Sequence, residues 1–225
     1  HDASSGGGKT VEILASDRFH STYDVVMNVY TTEGSTTELL VVAPDGSEIA
    51  SYVDSGSAAD DDPYAWSKLS HEARVTADDR GVLTLVQTLV PVGPAKRYDV
   101  CSKVSELCAT MDAYVDNRVA RWNLTAGGVR RLYDVADFAN PVDNFVSAPE
   151  SISWEDCYWA GNDTRALDWA HASAVSDGGD HYIVSLRNID TVLAVGKGDG
   201  ADAAVAWSLS SRAPAINSTF AFGDD

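Results

Sequence analysis

His171, Ser173 and Arg187 are the residues whose chemistry stands out, because they lie in a run that otherwise reads as sheet core. The run is Asp168–Leu209, DWAHASAVSDGGDHYIVSLRNIDTVLAVGKGDGADAAVAWSL. An imidazole can act as nucleophile or proton carrier, and a guanidinium holds oxyanions through fixed, charged donors. Whether the two act together depends on register. If Gly178 and Gly179 alone form the loop before His181, His171 faces Leu186 and Arg187 falls on the other side of the sheet. A loop of Gly178–Asp180 instead sets His171 opposite Arg187, with Ser173 and Ser185 on the same face. Only the second register builds a polar surface. Of the remaining histidines, His1 could chelate copper through an α-amine if His71 lay near it. His20, His71 and His181 otherwise read as surface or rim residues. No Cys-x-x-Cys or Cys/His metal spacing is present. Trp154, Trp159, Trp169 and Trp207 read as core rather than as a sugar-binding platform.

The elements around these residues are strands. HASAV, HYIVSL, TVLAV and AVAWSL are short apolar segments separated by Asp/Gly clusters. Four consecutive antiparallel strands of this length form a meander sheet of the kind repeated in β-propellers. Upstream, TVEILAS, YDVVMNVYTT and ELLVVAP are alternating or continuous β-type runs, and Pro44-Asp45-Gly46-Ser47 is a clean turn signal. Residues 54–65 read as an exposed acidic loop. Residues 101–118 hold the one helix-like pattern and are expected to form a short helix or an ordered loop. RVARWNL and VRRLYDV, joined by Gly-Gly, form a hairpin, and residues 136–153 are loop-like. The expected class is therefore all-β. The count is about 14 strands, or about three and a half four-stranded blades, so a propeller would be incomplete in this chain. The whole of 1–225 is read as one propeller-type domain or part of one. Its first blades lie within 1–100, an irregular connector with a hairpin spans 101–153, and a last, clearest blade occupies 154–225.

Composition narrows the partners. The 225 residues include 34 acidic and 16 basic side chains, a net charge of −18. Such a chain is unsuited to the phosphates of nucleic acid or to an anionic membrane surface. No apolar run approaches the roughly 18 residues of a membrane-spanning helix. Three Asn-x-Thr/Ser triplets, at Asn123, Asn162 and Asn217, suit glycosylation of a secreted protein. Cys101 and Cys108 could close a small loop, which leaves Cys157 for another partner. A secreted or extracellular location is expected.

The last run also carries a resemblance. DWAHASAV, IVSLRNIDTVLAV and AVAWSLSS resemble the arylsulfotransferase family, with His171, Arg187 and Trp207 on matching positions and Ser173 where the family usually has Asn. His1-Asp2-Ala3 resembles the family's His-Asp-Ala motif. Ser70–Val75 with Val82–Gln87 is similar in spacing to a further family segment. The resemblance implies a propeller that transfers a sulfuryl group between phenolic compounds through a histidine adduct. His1 would then attack sulfur, His171 and Arg187 would hold the sulfuryl oxygens, Asp2 would orient an imidazole, and Ser173 would stand in for the Asn. The scheme implies an aryl sulfate or phenolic substrate and no cofactor. In the family the Asp-Trp-x-His segment precedes the His-Asp-Ala segment, and here it follows. Ser218–Asp225 resembles the linker that joins them. That order implies additional copies, or another chain, completing the ring. A catalytically silent extracellular propeller, serving as a structural or adhesive subunit, is the alternative.

Overall fold

The computed structural model describes residues 11–31, 36–53, 67–91, 113–139, 157–160, 164–198 and 203–210. Fourteen strands lie in these residues, with short 3-10 turns at Val135–Asp137 and Arg187–Ile189 and no α-helix among the described residues. The protein is all-β.

Its strands form three sheets. Sheet A is the antiparallel meander β1 (Val11–Arg18), β2 (Val25–Thr31), β3 (Thr36–Val42) and β4 (Glu48–Val53). Sheet B begins with β5 (Ser67–Val75), β6 (Gly81–Pro91), β7 (Ala113–Asn123) and β8 (Val129–Asp134), again in meander order. A hairpin of β9 (Cys157–Ala160) and β10 (Thr164–Asp168) extends it, with β10 parallel to the first residues of β7. Sheet C is the meander β11 (Ala172–Asp177), β12 (His181–Leu186), β13 (Thr191–Gly196) and β14 (Val205–Ser210). These last four are the strands expected from the Asp168–Leu209 run.

The expectation of a helix or ordered loop over 101–118 is corrected for its second part. Residues 113–118 belong to β7, and 101–112 lie outside the described residues. The physical reason is burial on both faces. Val115, Asn117 and Val119 are buried on one side of β7, and Asp116, Ala120 and Trp122 on the other. A strand covered twice loses the polar-apolar alternation that would have marked it, and its residual pattern resembles a helix. The β7–β8 hairpin is present as read. It supplies the third and fourth strands of sheet B, so one sheet spans both the 1–100 segment and the segment expected to be an irregular connector.

Sheet B lies between the other two. One core joins it to sheet A through Val26, Leu39, Val41, Leu69, Val82 and Trp122. A second core joins it to sheet C through Leu83, Leu85, Val119, Tyr182, Val184 and Leu193. The neighbouring layers meet along their first strands, β1 and β11 both lying against β5. One turn locks all three together. Between β5 and β6, Asp79 accepts the backbone N–H groups of His20 and Ser21 from sheet A at 2.9 and 2.6 Å. Ala77 donates to Asp177 of sheet C at 3.0 Å, and Asp78 pairs with Arg121 of β7 at 2.7 Å. These bonds hold the carboxylates below their usual range. For Asp78, burial pushes upward, but hydrogen bonds from Thr76, Arg121 and Arg80 outweigh it and bring the value to about 2.

Candidate functional site

Asp168 ends β10 in sheet B, and three residues later His171 leads into β11 of sheet C. The candidate site is this step from one sheet to the next. Three residues are too few for a relaxed crossover, and His171 takes a left-handed backbone with φ of 47°. That conformation costs a non-glycine residue roughly 1–2 kcal/mol. Asp168 offsets it. Its Oδ1 accepts the His171 backbone N–H at 3.0 Å, and its Oδ2 lies 2.6 Å from the ring Nδ1. Gln87 of β6 donates to the same Oδ2 at 3.4 Å. The Asp168 side chain is 1% exposed and that of His171 16%, so the carboxylate forms the floor and the imidazole stands nearer the surface. A buried carboxylate is tolerable because each of its oxygens has a donor. Left-handed residues that surrounding bonds over-determine concentrate at functional sites.

The register question has an unexpected answer. Gly178 donates to the carbonyl of His181 at 2.9 Å, so the loop is Gly179–Asp180, and Gly179 at φ 84° takes the first central position as a type II′ turn requires. Neither loop considered from sequence is the one formed. A two-residue loop alone would carry His171 past Arg187. A β-bulge between Ala172 and Ala174 inserts Ser173 as an extra residue and corrects the pairing by one. Arg187 then donates its backbone N–H to His171 at 3.1 Å. His171 thus stands opposite Arg187, as in the polar register, but through a different turn and a bulge, and Ser185 faces Ala174 rather than Ser173.

Arg187 opens the 3-10 turn before β13, and its Nε donates to Asn188 Oδ1 at 3.1 Å. Asn188 Nδ2 donates to the Asp168 carbonyl at 2.7 Å, and its N–H to the Ala170 carbonyl at 3.1 Å. From the other side, Asn117 Oδ1 of β7 accepts the Ala172 N–H at 3.1 Å. Asp168, His171, Arg187 and Asn188 are therefore one hydrogen-bonded group, clamped between β7 and β12. Asp168 and Asn188 were not singled out from sequence. The Asp-x-x-His spacing could have revealed the first. Gln87, 81 positions from Asp168, left no local signal.

No protein-family model, curated protein or solved structure matches this chain.

The other expected site residues fall as follows. Ser173 is the half-buried bulge residue. His1, Asp2, Asn162, Asn217, Cys101, Cys108 and Trp154 lie outside the described residues. Asn123 is exposed at the end of β7, where its Oδ1 accepts the N–H groups of Thr125 and Ala126, both at 3.0 Å. Trp169 is core, and Trp207 is half-buried on β14. Among the described residues, no group of three or more His, Cys, Asp or Glu side chains could hold a metal. Nor is any helix there long and apolar enough to cross a membrane. A cavity of about 400 Å³, lined by Asp78, Arg80, Arg121, Asn123 and Thr125, opens at the opposite end of β7 from the Asp168 contact.

Asp116 is a second buried carboxylate, on the face of β7 away from sheet C. Its Oδ1 accepts the N–H groups of Asn117 and Ala136 at 2.8 and 3.1 Å. Burial, and then the nearby Asp134 charge, raise it to about 7.

Proposed function

We propose that this chain is part of a secreted β-propeller and that Asp168, His171 and Arg187 form part of a sulfuryl-transfer site acting on aryl sulfates and phenols. Support for the propeller is the repeated four-stranded meander, three times over, with neighbouring layers meeting along their first strands. The observation that carries the site is the Asp168–His171 pair at 2.6 Å, held opposite Arg187 by the bulge at Ser173.

The chemistry follows from which nitrogen is engaged. With Nδ1–H directed at Asp168, Nε2 becomes the nitrogen that exchanges protons with substrate. In the first half-reaction the His1 imidazole attacks sulfur, the S–O(aryl) bond breaks, and the departing phenolate takes the Nε2 proton of His171. In the second, an acceptor phenol attacks sulfur, the N–S bond to His1 breaks, and the phenol proton returns to Nε2. Arg187 balances charge on the sulfuryl oxygens, where fixed donors act most strongly. No cofactor enters either step.

The test is turnover of 4-nitrophenyl sulfate with phenol as acceptor. Removing one donor to a developing oxyanion typically costs about 10²–10³-fold. His171→Ala and Arg187→Ala are each expected to lower kcat by at least about 100-fold. Wild-type protein without turnover sinks the reading. A specific observation favours the silent scaffold as second reading. The charge of −18 repels an anionic substrate at long range, and the Arg187 guanidinium already donates to Asn188.

A further inference from the structure

The two outer layers of the stack turn apolar faces away from sheet B. On sheet A, strand alternation places Val26 and Leu39 in the core, so Met27, Leu40 and Val42 point outward. Ile13, Ile49 and Val53 share that side at 57, 53 and 48% exposure. On sheet C the side opposite the core carries Ile183, Val192, Trp207 and Leu209, all half-buried, around a fully buried Ala194. Charge distribution is the stronger clue. In a chain with 34 acidic residues, the outer side of sheet C has no carboxylate among its described strand side chains, whereas that of sheet A carries Glu38, Glu48 and Arg18 around its apolar residues. On sheet C, depletion of charge from an apolar patch marks the centre of a protein interface rather than a solvated face, and on sheet A the exposed Ile13, Ile49 and Val53 carry the argument. The runs VVMNV and ELLVV say the same, since continuous apolar strands are those covered on both faces.

We propose that the outer face of sheet A packs against the outer face of sheet C of a second copy of this chain, and the reverse, giving a two-fold closed dimer of six stacked sheets. Sheet B shows the chain's own solution for such a layer, with apolar sheets on both of its faces. Area supports two contacts rather than one. Four strands about 4.8 Å apart and six residues long present a face of ~400 Å². Two such faces supply about 800 Å² per partner, the size of a standard specific interface. One face alone falls short. A face-to-different-face contact that closes on two copies also avoids open polymerisation. The charge of each copy opposes association, so salt strengthens the dimer. This surface stands independently of the sulfuryl-transfer reading.

Sedimentation of the full chain at 0.15 M and 1 M NaCl tests it, with Val53→Asp for the sheet A face and Ile183→Asp for the sheet C face. Circular dichroism confirms that each variant keeps its strands. Wild type is expected at twice the chain mass, more completely at high salt, and each variant at the chain mass. A wild-type monomer at both salt concentrations overturns the proposal. So does Ile183→Asp remaining fully dimeric, which would mean that sheet A pairs with its own copy. If Ile183→Asp proves misfolded, Val192→Asp probes the same face.

Discussion

Replacing Asp168 by alanine tests whether one buried carboxylate holds the sheet B to sheet C step. Three interactions vanish together: the bond to the His171 N–H, the contact with its ring, and the bond from Gln87. A typical hydrogen bond contributes about 1 kcal/mol, and one to a charged group about 1.5–3 kcal/mol. The Gln87 bond is long and counts little. What remains is the backbone bond, the ring contact, and a His171 left in a left-handed conformation without its restraint. Together these give a loss of about 3–5 kcal/mol. At roughly 2–4 °C per kcal/mol for a chain of this size, the melting temperature falls by about 10 °C. Urea denaturation followed by circular dichroism measures the change, and an unaltered m-value shows that the transition is the same one. Asp180→Ala, at an exposed turn position, is the control and should lie near wild type. An Asp168→Ala midpoint equal to that of the control refutes the reasoning, because the carboxylate would then contribute nothing to the junction.

Asp78, Asp79 and Asp177 have depressed folded-state values, so their contribution is complete above the ordinary carboxylate range and is lost as pH falls through about 4 toward about 2. Urea midpoints should drop steeply in that window, and Asp79→Asn should flatten the drop. Asp116 acts with the opposite sign. Its value of about 7 means that the folded state holds a proton the unfolded state has released, so stability declines as pH rises from about 4 to about 7. Asp116→Asn should remove that slope and stabilise the protein at pH 8. Gly81→Ala places a Cβ 2.7 Å from Arg121 Nε and 2.8 Å from the Trp122 carbonyl, which the β6–β7 ladder holds in place. Overpacking of this kind costs about 1–3 kcal/mol, read as a lowered denaturation midpoint. Expression of Asn123→Gln in a secreting eukaryotic host should lower the glycan mass by one chain, seen by intact-mass spectrometry.

The strands of sheets A and C were legible because their turns are chemically marked. Pro44–Ser47 and the Asp/Gly clusters around Gly179 and Gly196 punctuate apolar runs short enough to be only strands. The start of β7 was not legible. Asp116 and Asn117 are buried polar residues on opposite faces, and burial on both sides erases the period-two signal. The hairpin β9–β10 pairs in parallel with β7 across some fifty residues, a non-local choice no local pattern encodes. At the site, the residue types pointed to His171 and Arg187, and the pairing of the two was one of two registers left open, while the Ser173–Ser185 pairing that went with it does not form because Ser185 faces Ala174. The route to it was not, because a bulge at Ser173 is decided by how β11 must leave Asp168 and meet β12. Asp168 was visible as part of a motif, but its grip on the imidazole depends on a left-handed backbone that the sequence does not announce.

The proposed sulfuryl-transfer site requires that His171 and Arg187 share one anion with His1. A crystal structure of the full chain with an aryl sulfate, or with sulfate as its surrogate, tests this most directly. A site of this kind would hold a single sulfuryl group within about 3 Å of His171 Nε2 and of the Arg187 guanidinium, with the His1 imidazole facing its sulfur. An anion bound elsewhere, or His1 on the far side of the molecule in every copy, would contradict it.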